Sequence, residues 1–102
     1  MSTSGWVGFD LDGTLAWYDG WKGIEHIGEP VPRIAERLRA LLAHGVECRV
    51  FTARVSGSED DADEARKHIQ DWTQKHFGQR LTVTNTKDFA MYAFYDDRCV
   101  AV

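Results

Sequence analysis

The chain lacks the features that mark several large classes of protein. It has two cysteines, Cys48 and Cys99, and no Cys-X-X-Cys pair, so we expect two buried thiols rather than a metal site. No apolar run approaches the ~20 residues of a membrane span, and nothing resembles a signal peptide. We therefore expect a cytoplasmic protein with no membrane partner.

An excess of basic charge is also missing. The chain has 12 Lys and Arg against 16 Asp and Glu, which gives a net charge of −4. A domain that tracks a long nucleic acid is usually basic, so we expect no such partner. The acidic balance instead suits a site that holds a divalent cation.

Length and composition indicate one globular domain. The 102 residues allow one core of two or three layers, and the chain is 43% hydrophobic and 12% aromatic. Alternating strand and helix patterns, described next, predict an α/β fold. We expect a single domain over residues 1–102.

The stretch over residues 6–15 organises the rest of the chain. It begins as an apolar run, typical of a buried strand, and ends in Asp10, Asp12 and Gly13. Burying an unpaired carboxylate is costly, so we place both acids at the carboxyl end of the strand, where a parallel sheet opens into its ligand crevice. Gly13 permits a sharp turn there.

Two helices and four more strands follow in the pattern. Apolar residues at helical spacing predict helices over about 32–44 and 59–77, closed by Gly45 and Gly78. Between them, residues 46–52 form a predicted strand that ends at Thr52. Further strands are predicted at 81–84 and 91–95, with a short fifth strand over 99–102.

A second pair of acids, Asp96 and Asp97, follows the predicted strand 91–95. An apolar run that ends in two acids repeats the pattern of the first strand. Adjacent strands lie about 4.8 Å apart. If these two strands are neighbours, their carboxylates converge around one cation. The six residues 85–90 barely allow the required crossover, so the sheet order here is an open point.

The motif Phe9-Asp10-Leu11-Asp12-Gly13-Thr14-Leu15 resembles the DxDGT signature of the haloacid dehalogenase (HAD) superfamily of phosphohydrolases. Thr52, Lys87 and the Asp96-Asp97 pair resemble the second, third and fourth motifs of that superfamily, in the same order. The resemblance implies a three-layer Rossmann-like domain with a mainly parallel sheet. Only a short flap takes the place of a cap domain.

The resemblance also implies catalytic roles. Asp10 is expected to be the nucleophile that forms an aspartyl-phosphate, and Asp12 the general acid and base. Asp10, the backbone carbonyl of Asp12, and Asp96 or Asp97 are expected to bind Mg²⁺. The dehalogenase branch lacks the second acid, so Asp12 favours phosphate chemistry.

The phosphoryl group is expected to bind at a second group of residues. Thr52 and Lys87 would hold its oxygens and offset their charge. Thr52, Ala53, Arg54 and Lys87 are the predicted substrate-binding residues. The phosphorylated substrate is expected to be a small metabolite.

Residues 15–28 form the predicted flap, with a type I′ hairpin turn at Asp19-Gly20. Trp17, Tyr18 and Trp21 have two interpretations: they pack the flap onto the body, or one of them stacks on an aromatic part of the substrate. Without a cap domain, either a large substrate or a second copy of the chain, as a homo-oligomer, would cover the site.

Two other functions stay open. One is a polynucleotide or nucleotide 3′-phosphatase, by similarity to the phosphatase half of polynucleotide kinase-phosphatases. The other is a non-enzymatic phospho-binding module. The residues that favour the first are a helix with Arg66, Lys67 and Trp72, and three cations that could meet a second phosphate, Lys22, Arg54 and Arg98.

Overall fold

The structure is a computed structural model that describes residues 5–56, 58–86 and 91–95. In these ranges the chain forms four strands and two α-helices. In chain order they are β1 (Trp6–Asp10), α1 (Pro32–Ala43), β2 (Cys48–Phe51), α2 (Glu59–Phe77), β3 (Thr82–Thr84) and β4 (Met91–Tyr95). A single 3₁₀ turn, Ala53–Val55, follows β2 directly.

The four strands form one parallel sheet in the order β3-β2-β1-β4. In register, Phe9 of β1 lies between Val50 of β2 and Tyr95 of β4. The chain is therefore a small α/β domain with a parallel sheet, as the sequence predicted. β1 is a central strand, and its carboxyl end lies between the carboxyl ends of β2 and β4.

The sheet order answers the question raised by the short segment 85–90. Among the four described strands, β3 and β4 lie at the two edges, three strand spacings apart, which is about 14 Å at about 4.8 Å each. Six residues span up to about 20 Å when extended. The segment is therefore long enough to connect the two edges of the sheet.

Both predicted helices are confirmed, with their ends set by local chemistry. Pro32 opens α1, and Gly45, at φ 79°, follows its last turn. The Ser58 hydroxyl accepts from the Asp61 N–H at the start of α2, whose first turn is acidic, and Gly78 ends it at φ 81°. A left-handed glycine is the usual way to end a helix.

The two helices pack on the same face of the sheet. The Arg39 guanidinium of α1 donates to the His76 carbonyl of α2 at 3.3 Å and lies over the Phe77 ring. The fully buried residues between the helices and the sheet include Phe9, Leu38, Val50 and Ile69. Burial of each such side chain stabilises the fold by about 1.5–3 kcal/mol. The described residues thus form a helix layer on a sheet layer.

The predicted hairpin in the flap is wrong. Asp19 does not have the positive φ that a type I′ turn requires, and only Gly20, at φ 116°, does. The two sides of the flap are paired only at its base, where Trp17 N–H donates to the Glu29 carbonyl and Val31 N–H donates to the Leu15 carbonyl. The aromatic residues beyond that base are exposed, so no cross-strand side-chain pairs hold two strands together.

Several predictions fall outside the described residues. They concern Lys87, Asp96, Asp97, Arg98, Cys99 and the strand over 99–102. In the part of the chain that the structure describes, neither helix has the combined length and apolar character needed to cross a bilayer.

Candidate active site at the carboxyl ends of β1 and β2

The turn after β1 is fixed by its own backbone. Leu15 N–H donates to the Asp10 carbonyl at 3.1 Å, and Ala16 N–H donates to the Leu11 carbonyl at 2.9 Å. Gly13, at φ 87°, supplies the left-handed conformation that the turn needs. Asp10 therefore ends the strand, and Asp12 lies on a hydrogen-bonded turn just beyond the carboxyl end of β1.

The end of β2 presents Thr52. This residue is buried, and its N–H donates to the Thr84 carbonyl of β3 at 2.9 Å. Its hydroxyl oxygen accepts from the Arg54 N–H at 3.1 Å and so caps the 3₁₀ turn. A hydroxyl that accepts one hydrogen bond still has its own proton to donate. Thr52 is therefore placed to donate to an oxygen bound in front of the strand.

The two strand ends line one cleft. Leu11 N–H donates to the Phe51 carbonyl at 3.2 Å, which fixes the turn after β1 against the end of β2. The cleft has a volume of about 520 Å³. It is lined by Asp10, Asp12, Trp21, Thr52, Ala53 and Arg54. Five of these six are predicted site residues. The fold brings them together although up to 44 positions separate them in sequence.

Arg54 and Asp12 form a bidentate ion pair across the cleft. Arg54 Nε and Nη2 donate to the two carboxylate oxygens of Asp12 at 2.9 and 2.8 Å. The Arg54 side chain is only 6% exposed and that of Asp12 is 23% exposed. This fork-to-carboxylate geometry is the strongest form of ion pair that side chains offer. Sequence reasoning placed Arg54 in the site but missed this contact, because nothing local links residues 42 positions apart.

Arg54 also holds the flap. Its Nη1 donates to the Ile24 carbonyl at 3.4 Å, and its guanidinium carbon lies 4.9 Å from the centre of the Trp21 ring. A guanidinium over an indole face is attracted by the ring quadrupole. One side chain therefore contacts Asp12 and two points of the flap.

The base of the flap is anchored to α2. The Trp72 indole N–H donates to the Gly28 carbonyl at 3.0 Å. A side chain at Gly28 would place its Cβ 2.1 Å from the Trp17 carbonyl oxygen, so only glycine permits this close approach. Trp72 is buried in α2, as its helical spacing predicted, and its bond to the base of the flap is a role that the sequence did not indicate.

The flap aromatics do not pack into the core. Trp17, Tyr18 and Trp21 are 61%, 48% and 58% exposed, so none of them is buried against the core, and Trp21 contacts the body through the Arg54 guanidinium. Ile24 and Ile27 supply the flap's contact with the core instead. Of the three aromatics, only Trp21 lines the cleft.

The donor chemistry of the cleft suits Mg²⁺, which prefers carboxylate and carbonyl oxygens and keeps several waters. Asp10 and Asp12 are two such donors. Residues 5–56, 58–86 and 91–95 contain no group of three or more His, Cys, Asp and Glu placed to hold a metal. The remaining predicted ligands, Asp96 and Asp97, lie outside those ranges. Near Asp12, the buried Thr14 hydroxyl has no partner among the described residues.

Two other candidate residues, Arg66 and Lys22, are not among those that line the cleft and have other partners. Arg66 donates to the Val83 carbonyl and to Asp63, and Lys22 pairs with Asp19 at 2.9 Å. Burial, with the Glu47 charge, raises the pKa of the Cys48 thiol to about 12, which makes it an inert core residue as predicted.

No family model, curated protein or solved structure matches this chain. We therefore infer function from the geometry of the cleft.

Proposed function

We propose that the chain is a Mg²⁺-dependent phosphomonoester hydrolase of the HAD type, which works through an aspartyl-phosphate. One observation supports this above all: Asp10 and Asp12, from the end of β1, share a cleft with Thr52, Ala53 and Arg54, from the end of β2. In the proposed fold, a third layer completes a Rossmann-like domain that has a flap and no cap domain.

The position of β4 supports the fourth part of the proposed site. β4 is the parallel neighbour of β1, and its last residue, Tyr95, is in register with Phe9. Asp10 follows Phe9 in the chain, and Asp96 follows Tyr95. We assign Asp96 or Asp97 as a metal ligand on this basis. Lys87 is assigned to the phosphoryl oxygens on the sequence motif alone.

In the first proposed step, a carboxylate oxygen of Asp10 attacks phosphorus, and the bond from phosphorus to the ester oxygen breaks. Asp12 transfers a proton to the departing oxygen, which leaves as an alcohol. In the second step, Asp12 takes a proton from a water molecule that attacks the aspartyl-phosphate. Inorganic phosphate leaves, and the Asp10 carboxylate is restored.

Arg54 has two roles in this scheme: it positions Asp12, and it offers its guanidinium to the phosphoryl group. Both Asp12 oxygens accept from Arg54, so one of them has to leave the guanidinium before it can serve the ester oxygen. A phosphate dianion in the cleft is a competing partner for the guanidinium, because arginine binds carboxylate and phosphate with the same fork. When substrate binds, one of the two Arg54 hydrogen bonds to Asp12 would therefore be replaced by a hydrogen bond to the phosphoryl group.

The bound cation would supply charge neutralisation for the phosphoryl oxygens. Asp10, the Asp12 carbonyl and Asp96 or Asp97 would hold it. The Thr52 hydroxyl would donate to another phosphoryl oxygen.

A phosphatase assay with p-nitrophenyl phosphate tests the proposal. We expect turnover with Mg²⁺ and none after chelation. Binding of phosphate esters without turnover would instead identify a non-enzymatic phospho-binding module. A panel of phosphorylated metabolites and 3′-phosphoryl oligonucleotides would then separate the small-metabolite substrate from the polynucleotide one.

A further inference from the structure

Trp21 stands out among the residues that line the cleft. It is the one aromatic side chain among the described lining residues, and the other five carry the proposed phosphate chemistry. It is also 58% exposed, which is unusual for so large an apolar side chain. An indole in this position needs an explanation that the phosphate chemistry does not give.

The Trp21 ring is held in place from one side. The Arg54 guanidinium lies 4.9 Å from the ring centre, and the same guanidinium is fixed by Asp12 and by the Ile24 carbonyl. A ring held in this way loses little further conformational freedom when a ligand stacks on it. Its exposed surface is therefore a preorganised platform beside the carboxylates.

Trp17 provides the contrast within the same flap. Its exposure, 61%, is as high as that of Trp21, yet it lies outside the set of residues that line the cleft. General exposure of the flap thus does not place an aromatic ring next to Asp10 and Asp12. Trp21 lies next to these carboxylates because its ring contacts the Arg54 guanidinium.

We propose that Trp21 is a stacking subsite for a planar aromatic group, a nucleobase or an aryl ring, on the leaving-group side of the phosphate ester. The stacking subsite rests on the proposed function, since it assumes that the phosphoryl group binds between Asp10 and Thr52. Base–aromatic stacking is sequence-tolerant and strengthens binding about tenfold per stacked ring. The substrate class is then an aromatic or nucleoside phosphate rather than an aliphatic sugar or polyol phosphate.

The test is a comparison of binding that does not need turnover. Calorimetry in Mg²⁺ buffer, on the Asp10→Asn protein, would compare adenosine 5′-monophosphate with ribose 5-phosphate, which differ only in the base. Phenyl phosphate against propyl phosphate makes the same comparison for an aryl ring. We expect each aromatic ligand to bind about tenfold more tightly than its aliphatic partner.

Three variants of that protein decide the role of the ring. Trp21→Ala should abolish the aromatic preference and leave ribose 5-phosphate binding unchanged. Trp21→Phe should keep most of the preference, and Trp17→Ala should keep all of it. These results would support stacking even if the parent chain hydrolyses nothing, in which case only the proposed function fails.

The contrary results are equally clear. An aromatic preference that persists in Trp21→Ala overturns the subsite, and so does a parent protein with no such preference. If Trp21→Ala instead changes only the sedimentation of the protein, the ring belongs to an interface between copies of the chain, and the stacking subsite is overturned.

Discussion

The two ends of the parallel sheet differ in how far their ion pairs are exposed to solvent. At the amino ends of the strands, Arg49 pairs with Glu47, and Arg80 pairs with Asp71, on the surface. The Arg80 and Asp71 side chains are 44% and 53% exposed. At the carboxyl ends, Arg54 pairs with Asp12, and the arginine is 6% exposed. Exposed pairs contribute little to stability, whereas a desolvated charge is costly without its partner.

This difference in exposure distinguishes an end of the sheet that serves only folding from an end that we propose serves function. The amino end is explained by folding alone: two helices end there at Gly45 and Gly78, and the side chains of its two ion pairs are 27–53% exposed. At the carboxyl end, the charged Arg54 side chain and Thr52 are buried, whereas the Trp21 ring is exposed. All three are contrary to the usual distribution of these residue types. Such departures concentrate at functional sites.

The first prediction is the largest effect and tests whether the carboxyl end alone carries chemistry. Asp10→Asn keeps the shape of the side chain but removes the attacking anion, so turnover should fall to background. Asp71→Asn makes the same change at the amino end and should leave turnover unchanged. Steady-state rates with p-nitrophenyl phosphate measure both. Comparable rates in the two variants would remove the distinction between the ends.

The second prediction concerns the cation. Chelation should abolish turnover, and Mg²⁺ should restore it, because Asp10 and Asp12 bring like charges into one cleft. Millimolar Mg²⁺ should also raise the melting temperature by mass action, and Asp10→Asn should reduce that rise. Thermal melts with and without Mg²⁺ supply the measurement. An unchanged melting temperature in the parent protein would count against a metal site here.

The third prediction compares the two ion pairs directly. Arg54→Ala leaves the Asp12 carboxylate partly buried without its partner and should cost about 2–3 kcal/mol of stability, below the cost for a fully buried pair because Asp12 keeps some exposure. For a domain of this size that lowers Tm by about 10 °C. Arg80→Ala breaks an exposed pair, so its Tm should match that of the parent. Circular dichroism melts that show equal shifts for both variants would contradict the comparison.

The smallest predicted effect is a pH dependence from the helix layer. Burial, chiefly, lowers the pKa of His76, which contacts the Trp72 ring. The unfolded chain then binds more protons than the folded one between the lowered pKa and about 6.5. Stability should therefore be full above about pH 6.5 and decline as pH falls below it. His76→Gln should reduce the decline in Tm between pH 7 and pH 5, and an identical decline in the variant would exclude His76 as its source.

The fold and much of the cleft could be predicted from sequence because the signals are local. Helical spacing, Ser58, Gly45 and Gly78 define where the helices begin and end, and residues 6–15 place Asp10 and Asp12 at a strand end. Parallel topology then brings Thr52 beside them.

The rest could not be predicted because it depends on long-range packing. The Asp12–Arg54 pair joins two loops, and only the folded sheet brings them together. The same holds for the Trp21 ring over Arg54 and for the Trp72 bond to Gly28. The Asp19-Gly20 signal predicted a hairpin, yet a turn sequence without paired side chains on either side does not specify strands.

The most direct test of the central claim is to trap the phosphoryl group on Asp10. The Asp12→Asn protein lacks the base for the second step, whereas a p-nitrophenolate leaving group needs little protonation in the first. After reaction with p-nitrophenyl phosphate and Mg²⁺ and an acid quench, mass spectrometry of the peptide that contains Asp10 should show one added phosphoryl group. A burst of p-nitrophenolate with no phosphoryl group on Asp10, or with the group on another residue, would contradict the account.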